Sequence, residues 1–163
     1  ILPKEYIIAF LKSKLGQLEL SKGIFEINDI INAINPKSFY HAPLSKLVVL
    51  ENTTNKGGGA CWDVEVFRDI KKVCKDHDLG LHMDGARIWN SLIANKNNPL
   101  IYGENFDTIS VCLSKGLGCP IGTVLTGKKE ILNVIVKNNF LSRKNIFLII
   151  CLIFIHIIYN VFC

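Results

Sequence analysis

Short apolar runs at residues 47–50, 79–83 and 108–113 each give way to polar or glycine-rich residues, and a longer pattern of helical period lies between the first two. Four apolar residues suffice for a buried strand and are too few for a buried helix, so residues 47–50 read as a strand of a parallel sheet. Asp63 then reads as the N-cap of a helix reaching about His77, with Val66, Phe67, Ile70, Val73 and Cys74 on one face and Gly80 past the end. A helix-like stretch at residues 86–94, a fourth strand at 121–126 and another helical stretch opened by Gly127 complete the alternation. Upstream, Ile7, Ile8, Leu11 and Leu15 form a helical stripe, and Asn28 or Asp29 caps a short helix that stops before Pro36. The order is that of an α/β protein with a mostly parallel sheet. Ligands gather at the carboxyl ends of such strands, where Glu51, Asp84 and Lys115 fall.

Lys115 lies in Ser110-Val-Cys-Leu-Ser-Lys-Gly-Leu-Gly-Cys-Pro-Ile-Gly122, where an apolar strand breaks into glycines. A lysine at a strand mouth, partly withdrawn from water, has its amine pKa lowered towards use as a nucleophile, and pyridoxal phosphate is the obvious aldehyde for it to attack. Upstream, Leu79-Gly-Leu-His-Met-Asp-Gly-Ala-Arg87 ends in an acid and an arginine three residues apart. A fixed carboxylate at a strand end suits a protonated pyridine nitrogen, and Asp84 fits that role. Each residue also has a plain structural reading: Lys115 in a solvated turn, Asp84 as a helix cap, Arg87 in a surface ion pair. Their occurrence together favours the cofactor.

The segments Glu51-Asn-Thr-Thr-Asn-Lys-Gly-Gly-Gly59, His82-Met-Asp-Gly-Ala-Arg87 and Ser110-Val-Cys-Leu-Ser-Lys-Gly-Leu-Gly118, in this order and spacing, resemble the low-specificity threonine aldolases. The similarity runs from about Glu26 to Val134. It implies a partial large domain of the fold-type-I, aminotransferase-like class of pyridoxal phosphate enzymes. It implies too a carbon–carbon lyase that cleaves threonine or allo-threonine to glycine and acetaldehyde. In the resemblance, Lys115 is the lysine bonded to the cofactor, Asp84 the partner of its pyridine nitrogen, and Arg87 a contact to its phenolic oxygen and to the substrate carboxylate. The segment from Glu51 to Gly59 lies beside the cofactor in this reading, and is otherwise a glycine-rich surface loop whose Asn and Thr side chains satisfy backbone groups. His82 reads as a packed core residue. Thr54 stands where many relatives have a histidine. A relative that eliminates a β-substituent from aromatic amino acids or cysteine shares the cofactor logic.

The resemblance also implies parts that this sequence lacks. The stretch before residue 47 is too short for the family's N-terminal half of the large domain, which carries the phosphate-cradling loop and a ring-stacking histidine. The small C-terminal domain, with a further arginine for the substrate carboxylate, is missing as well. The expected organisation is an atypical segment at 1–25, a partial cofactor-binding domain at 26–136, a basic linker at 137–145 and a hydrophobic tail at 146–163. In that tail only His156 and Asn160 of 18 residues are neither apolar nor aromatic. As a helix it reaches about 27 Å, near the roughly 30 Å of a bilayer core. Lys137, Arg143 and Lys144 would keep its N-terminal side cytoplasmic, giving a tail anchor. A translated intron or shifted reading frame accounts for the same composition. The expectation is therefore a piece of an enzyme, inactive by itself, with a non-catalytic fragment bearing a membrane tail as the alternative.

The chain is 163 residues, 49% hydrophobic and 20% charged, which is globular rather than disordered. Cys61, Cys74, Cys112, Cys119, Cys151 and Cys163 show no two-residue gap of a zinc or redox motif. Free thiols and a reducing, cytoplasmic setting follow. The net charge of +5 is spread along the chain with no aromatic-interleaved basic patch, so the expected partner is a small β-hydroxy amino acid and not nucleic acid. The resemblance implies that full-length relatives are homo-oligomers, and a membrane partner only if the 146–163 tail is genuine.

Overall fold

The computed structural model of the chain describes residues 22–36, 38 and 44–137. The helical stripe at 5–15 and the hydrophobic run at 146–163 lie outside the described residues. Helix α1 (Ile27–Ala33) leads into β1 (Leu47–Glu51), α2 (Val66–Asp76), β2 (Gly80–Gly85), α3 (Ile88–Asn95), α4 (Leu100–Asn105), β3 (Thr108–Cys112), β4 (Thr123–Gly127) and α5 (Lys129–Lys137). The four strands form one sheet in the order β1-β2-β3-β4. The first three are parallel, and β4 runs antiparallel to β3. The sheet is mixed and mostly parallel, as the apolar runs predict, with one hairpin between β3 and β4 in place of a crossover. Among the described residues no helix is long and apolar enough to cross a membrane.

Alternation along the strands sends Val48, Leu50, Leu81, Met83 and Ile109 to one face, where all five are buried. Helix α2 covers that face through Phe67, Ile70 and Cys74, at the i, i+3, i+7 spacing that the sequence predicts. The Phe67 ring meets the Tyr102 ring at 5.3 Å and the Phe106 ring at 5.0 Å, both edge-on. These contacts bind α4 to α2. Burying a ring of this size contributes about 1.5–3 kcal/mol, so the aromatic trio is a main fastening of the helical layer. Burial and the charge of Asp107 push the Cys74 thiol up to about 12, which leaves it a small apolar group. The four described cysteines are free thiols.

Helix ends shift from the sequence expectation by a few residues, for local reasons. Helix α1 begins one residue after Glu26, whose N–H donates to Asp29 Oδ2 at 2.8 Å, so Asp29 serves the first turn from inside it. Asp63 Oδ1 accepts the Glu65 N–H at 3.1 Å, closing a turn that precedes α2 instead of capping it directly. At the other end Asp78, with φ +56°, makes a left-handed turn two residues before Gly80, and the Leu79 N–H bonds the Cys74 carbonyl at 2.8 Å. Gly80 is thereby released into β2.

At the amino end of the sheet, the Asp107 carboxylate accepts the Leu81 N–H at 2.9 Å and pairs with Lys128. Partial burial works against its charge, but those hydrogen bonds and the charges of Lys128 and Lys71 hold the carboxyl below its ordinary value. This end is held by structural pairs. The opposite end carries the candidate site.

Candidate active site

Parallel pairing brings Glu51, Asp84 and Ser110 into one row across β1, β2 and β3, at the carboxyl ends of the strands. All three are half-buried and share the face turned away from the helical layer. Asp84 Oδ1 accepts the Ala86 N–H at 3.1 Å. That bond tightens the exit of β2 and fixes one carboxylate oxygen, while Oδ2 has no hydrogen bond to a described residue. Asp84 is thus not the cap of α3, because Arg87 occupies that position.

His82 lies two residues back on the same face, with Nδ1 2.7 Å from Thr108 Oγ1. The expectation of a core position is corrected: it sits half-buried, across the sheet from the helical core. Burial lowers its pKa, opposed by the charge of Asp84 and by hydrogen bonding to the Thr108 backbone.

Lys115 follows β3 in a loop closed at its base by the Leu113 N–H on the Gly122 carbonyl, at 2.9 Å, and by the Cys119 N–H on the Leu113 carbonyl, at 3.1 Å. At the tip the Gly118 N–H bonds the Lys115 carbonyl at 3.0 Å. The loop lies on the first turn of α3: a Cβ on Gly116 would meet Asn90 Oδ1 at 3.0 Å and Trp89 Cβ at 3.6 Å. The Lys115 loop and the helix that Arg87 caps therefore touch. Lys115 is exposed, so the partial withdrawal from water expected of it is not provided by the described residues. Neither Lys115 nor Arg87 forms an ion pair with a described residue.

The segment from Glu51 to Gly59 is divided. Asn52, Thr53 and Thr54 are buried, whereas Asn55, Lys56, Gly58 and Gly59 are exposed. Thr54 Oγ1 donates to the Lys22 carbonyl at 2.8 Å, and a Cβ on Gly57 would come within 1.9 Å of that same oxygen. Only glycine allows the 22–25 segment to lie this close over the loop. The Thr54 hydroxyl donor is thus committed to backbone.

Asn52, Ser91 and Tyr102, which the motif reading does not single out, form a buried polar cluster behind the row. Asn52 Nδ2 donates to Ser91 Oγ at 2.9 Å and to Tyr102 OH at 3.1 Å. The available signals were an asparagine directly after a strand-end glutamate and a serine one helical turn beyond Arg87. Among the described residues no group of His, Cys, Asp and Glu could hold a metal ion.

Asp84, with one carboxylate oxygen not bonded to a described residue, and Lys115 and Arg87, with no ion pair to a described residue, lie at or just past the carboxyl ends of β2 and β3. They are groups of the kind that an aldehyde cofactor with a basic ring nitrogen and an anionic substrate would use. The donor set fits pyridoxal phosphate. Residues 5–155 match the family model described as beta-eliminating lyase. The chain belongs to the beta-eliminating lyase family.

Within the family, the chain is 48% identical over 88 residues to the low specificity L-threonine aldolase of Saccharomyces cerevisiae, covering 53% of this chain and 22% of that protein. It is 38% identical over 109 residues to low-specificity L-threonine aldolase 1 of Arabidopsis thaliana, covering 66% of this chain and 30% of that protein. The fold superposes on the threonine aldolase of Leishmania major with a TM-score of 0.53 and 28% identity, over 59% of this chain and 28% of that one. The α/β expectation and the family resemblance are therefore correct. The chain spans less than a third of the length of these threonine aldolases.

Proposed function

We propose that this chain carries the lysine-bearing part of a pyridoxal phosphate-dependent carbon–carbon lyase of the threonine aldolase type. Its substrates are L-threonine or L-allo-threonine, released as glycine and acetaldehyde. The observation that carries the reading is the contact between the Lys115 loop and the first turn of α3, which joins the lysine to the element headed by Arg87, three residues beyond Asp84.

When bound, the cofactor supplies an electron-withdrawing ring that stabilises negative charge at the substrate Cα. Asp84 Oδ2 holds a proton at the ring nitrogen, since its other oxygen is already engaged by Ala86. Arg87 orients the substrate carboxylate by a two-pronged hydrogen bond. Lys115 Nζ would hold the cofactor as the nucleophilic amine of the site, and its free amine would be the group able to move a proton. Thr54 spends its hydroxyl proton on the Lys22 carbonyl, which fixes the loop beside the row.

Incubation of the full chain with pyridoxal phosphate and L-threonine, with glycine and acetaldehyde as readouts, tests the reading. Parallel assays with L-tyrosine, L-tryptophan and L-cysteine test the β-elimination for which the family model is named. Turnover of these three without glycine release from threonine would replace the aldolase reading by an eliminating one. Cofactor uptake without any turnover would leave a cofactor-binding fragment.

A further inference from the structure

Asn52 is 0% exposed, and its backbone N–H, its side-chain NH2 and its Oδ1 are all hydrogen-bonded inside the chain. Its backbone N–H donates to the Asp84 carbonyl at 2.9 Å. Its side-chain amide has two N–H bonds, and the two acceptors are Ser91 Oγ at 2.9 Å and Tyr102 OH at 3.1 Å. Its Oδ1 accepts the Trp62 N–H at 3.5 Å. The orientation of this amide is fixed by its surroundings: turned over, the NH2 group would face the Trp62 N–H donor. The two hydroxyls lie 3.4 Å apart, which closes the cluster into a triangle.

The three partners differ in what they carry. Asp84 ends β2. Ser91 lies on α3 four residues after Arg87, one helical turn along and on the same side. Tyr102 belongs to α4, which carries no candidate site residue. A single residue therefore grips the strand of the carboxylate with its main chain and the helix of the guanidinium with its side chain.

We propose that Asn52 is the positioning residue of the site, setting the spacing between Asp84 and Arg87 through the Asp84 carbonyl and the Ser91 hydroxyl. The proposal rests on reading Asp84 and Arg87 as the residues that face cofactor and substrate. Misplacing a reacting partner by about 1 Å can cost on the order of 100-fold in rate, so a rigid link between the two has direct chemical value. The Tyr102 bond supports the same amide without setting that spacing.

This asymmetry supplies the test. Ser91→Ala and Tyr102→Phe each remove one buried hydroxyl from the same cluster, but only Ser91→Ala cuts the link to the helix of Arg87. Backbone hydrogen exchange is measured on the full chain without ligand. The Ala86 and Asn90 N–H groups, bonded to Asp84 Oδ1 and to the Arg87 carbonyl, are compared with Met83 in the middle of β2. Ser91→Ala is expected to speed exchange at Ala86 and Asn90 about fivefold or more relative to Met83, as loss of one net hydrogen bond allows. Tyr102→Phe leaves that ratio unchanged. Equal ratios in the two variants, or no change in Ser91→Ala, overturn the proposal. Borohydride trapping of pyridoxal phosphate on the unsubstituted chain is run alongside. Its failure would count against the function proposed above and remove the chemical purpose of the link, whereas a failed exchange comparison with trapping intact strikes only the role of Asn52.

Discussion

Asn90 Oδ1 stands over Gly116 so closely that a Cβ there would lie 3.0 Å away, a separation that ordinary side-chain carbons rarely tolerate. The residue after Lys115 is thereby held against the helix capped by Arg87. Gly116→Ala is expected to push Asn90 aside and lower cofactor incorporation at Lys115 severalfold, with the melting temperature little changed. The double substitution Gly116→Ala with Asn90→Ala is expected to recover most of the loss, since the obstructing oxygen is gone. Absorbance of the bound cofactor in the two variants measures both effects; no recovery in the double variant would show that the contact is incidental.

Lys115 is expected to be the site of cofactor attachment. Borohydride reduction after incubation with pyridoxal phosphate, followed by peptide mapping, should place the reduced adduct on Lys115, and Lys115→Ala should remove it. Lys128 is the informative control, because its amine pairs with Asp107 at the far end of the sheet. A label on Lys128 with Lys115 unmodified would defeat the assignment.

Asp84→Ala and Asp84→Asn should both leave Lys115 able to react with the cofactor while slowing any turnover by orders of magnitude. Each loss of about 1.4 kcal/mol of charge stabilisation is tenfold in rate. Removal of Asp84 Oδ1 also frees the Ala86 N–H, so Asp84→Ala carries an added cost in stability; Asp84→Asn keeps an acceptor for that N–H. In the enzyme completed by the segments this chain lacks, turnover by the Asn variant near that of the unsubstituted enzyme would reduce Asp84 to a turn former.

Stability should fall in two separate acid windows. The folded chain disfavours a charged His82, so below the ordinary histidine value of 6.5 the unfolded chain takes up the proton first and stability declines towards the lowered folded value. The Asp107 carboxyl is held below its ordinary value of 3.8, so its contribution persists above that pH and is lost as pH falls through the lower folded value. Denaturant melts at pH 7, 6 and 5 should show the first loss, and His82→Asn should flatten it. A decline of the same size in His82→Asn would assign the titration to another group.

The strands were legible because each is a short apolar run, and the long α2 because its stripe repeats cleanly through Phe67, Ile70 and Cys74. Gly80 lies past the end of α2 as expected, but the left-handed residue at the exit is Asp78, and Gly80 already belongs to β2, where a Cβ would lie 3.2 Å from Leu47 Cδ1. Helix α4 has six residues, too few for a period to show, and begins just after Asn98 and Pro99, which read as loop. The exposure of Lys115 was not readable from its neighbours, since a strand mouth is shielded by whatever crosses it in space. The Asn52 cluster left no trace in local pattern because its partners are remote in the chain.

That remoteness makes the cluster a tie between parts of the chain that local structure does not join. The two side-chain bonds of Asn52 close loops of 39 and 50 residues. Closure entropy grows slowly with loop length, so each costs only roughly a few tenths of a kcal/mol more than the pairing of β1 with β2. Without these bonds the paired strands would still hold Glu51 beside Asp84, yet α3 would lose its tie to Asn52 and Arg87 its fixed place.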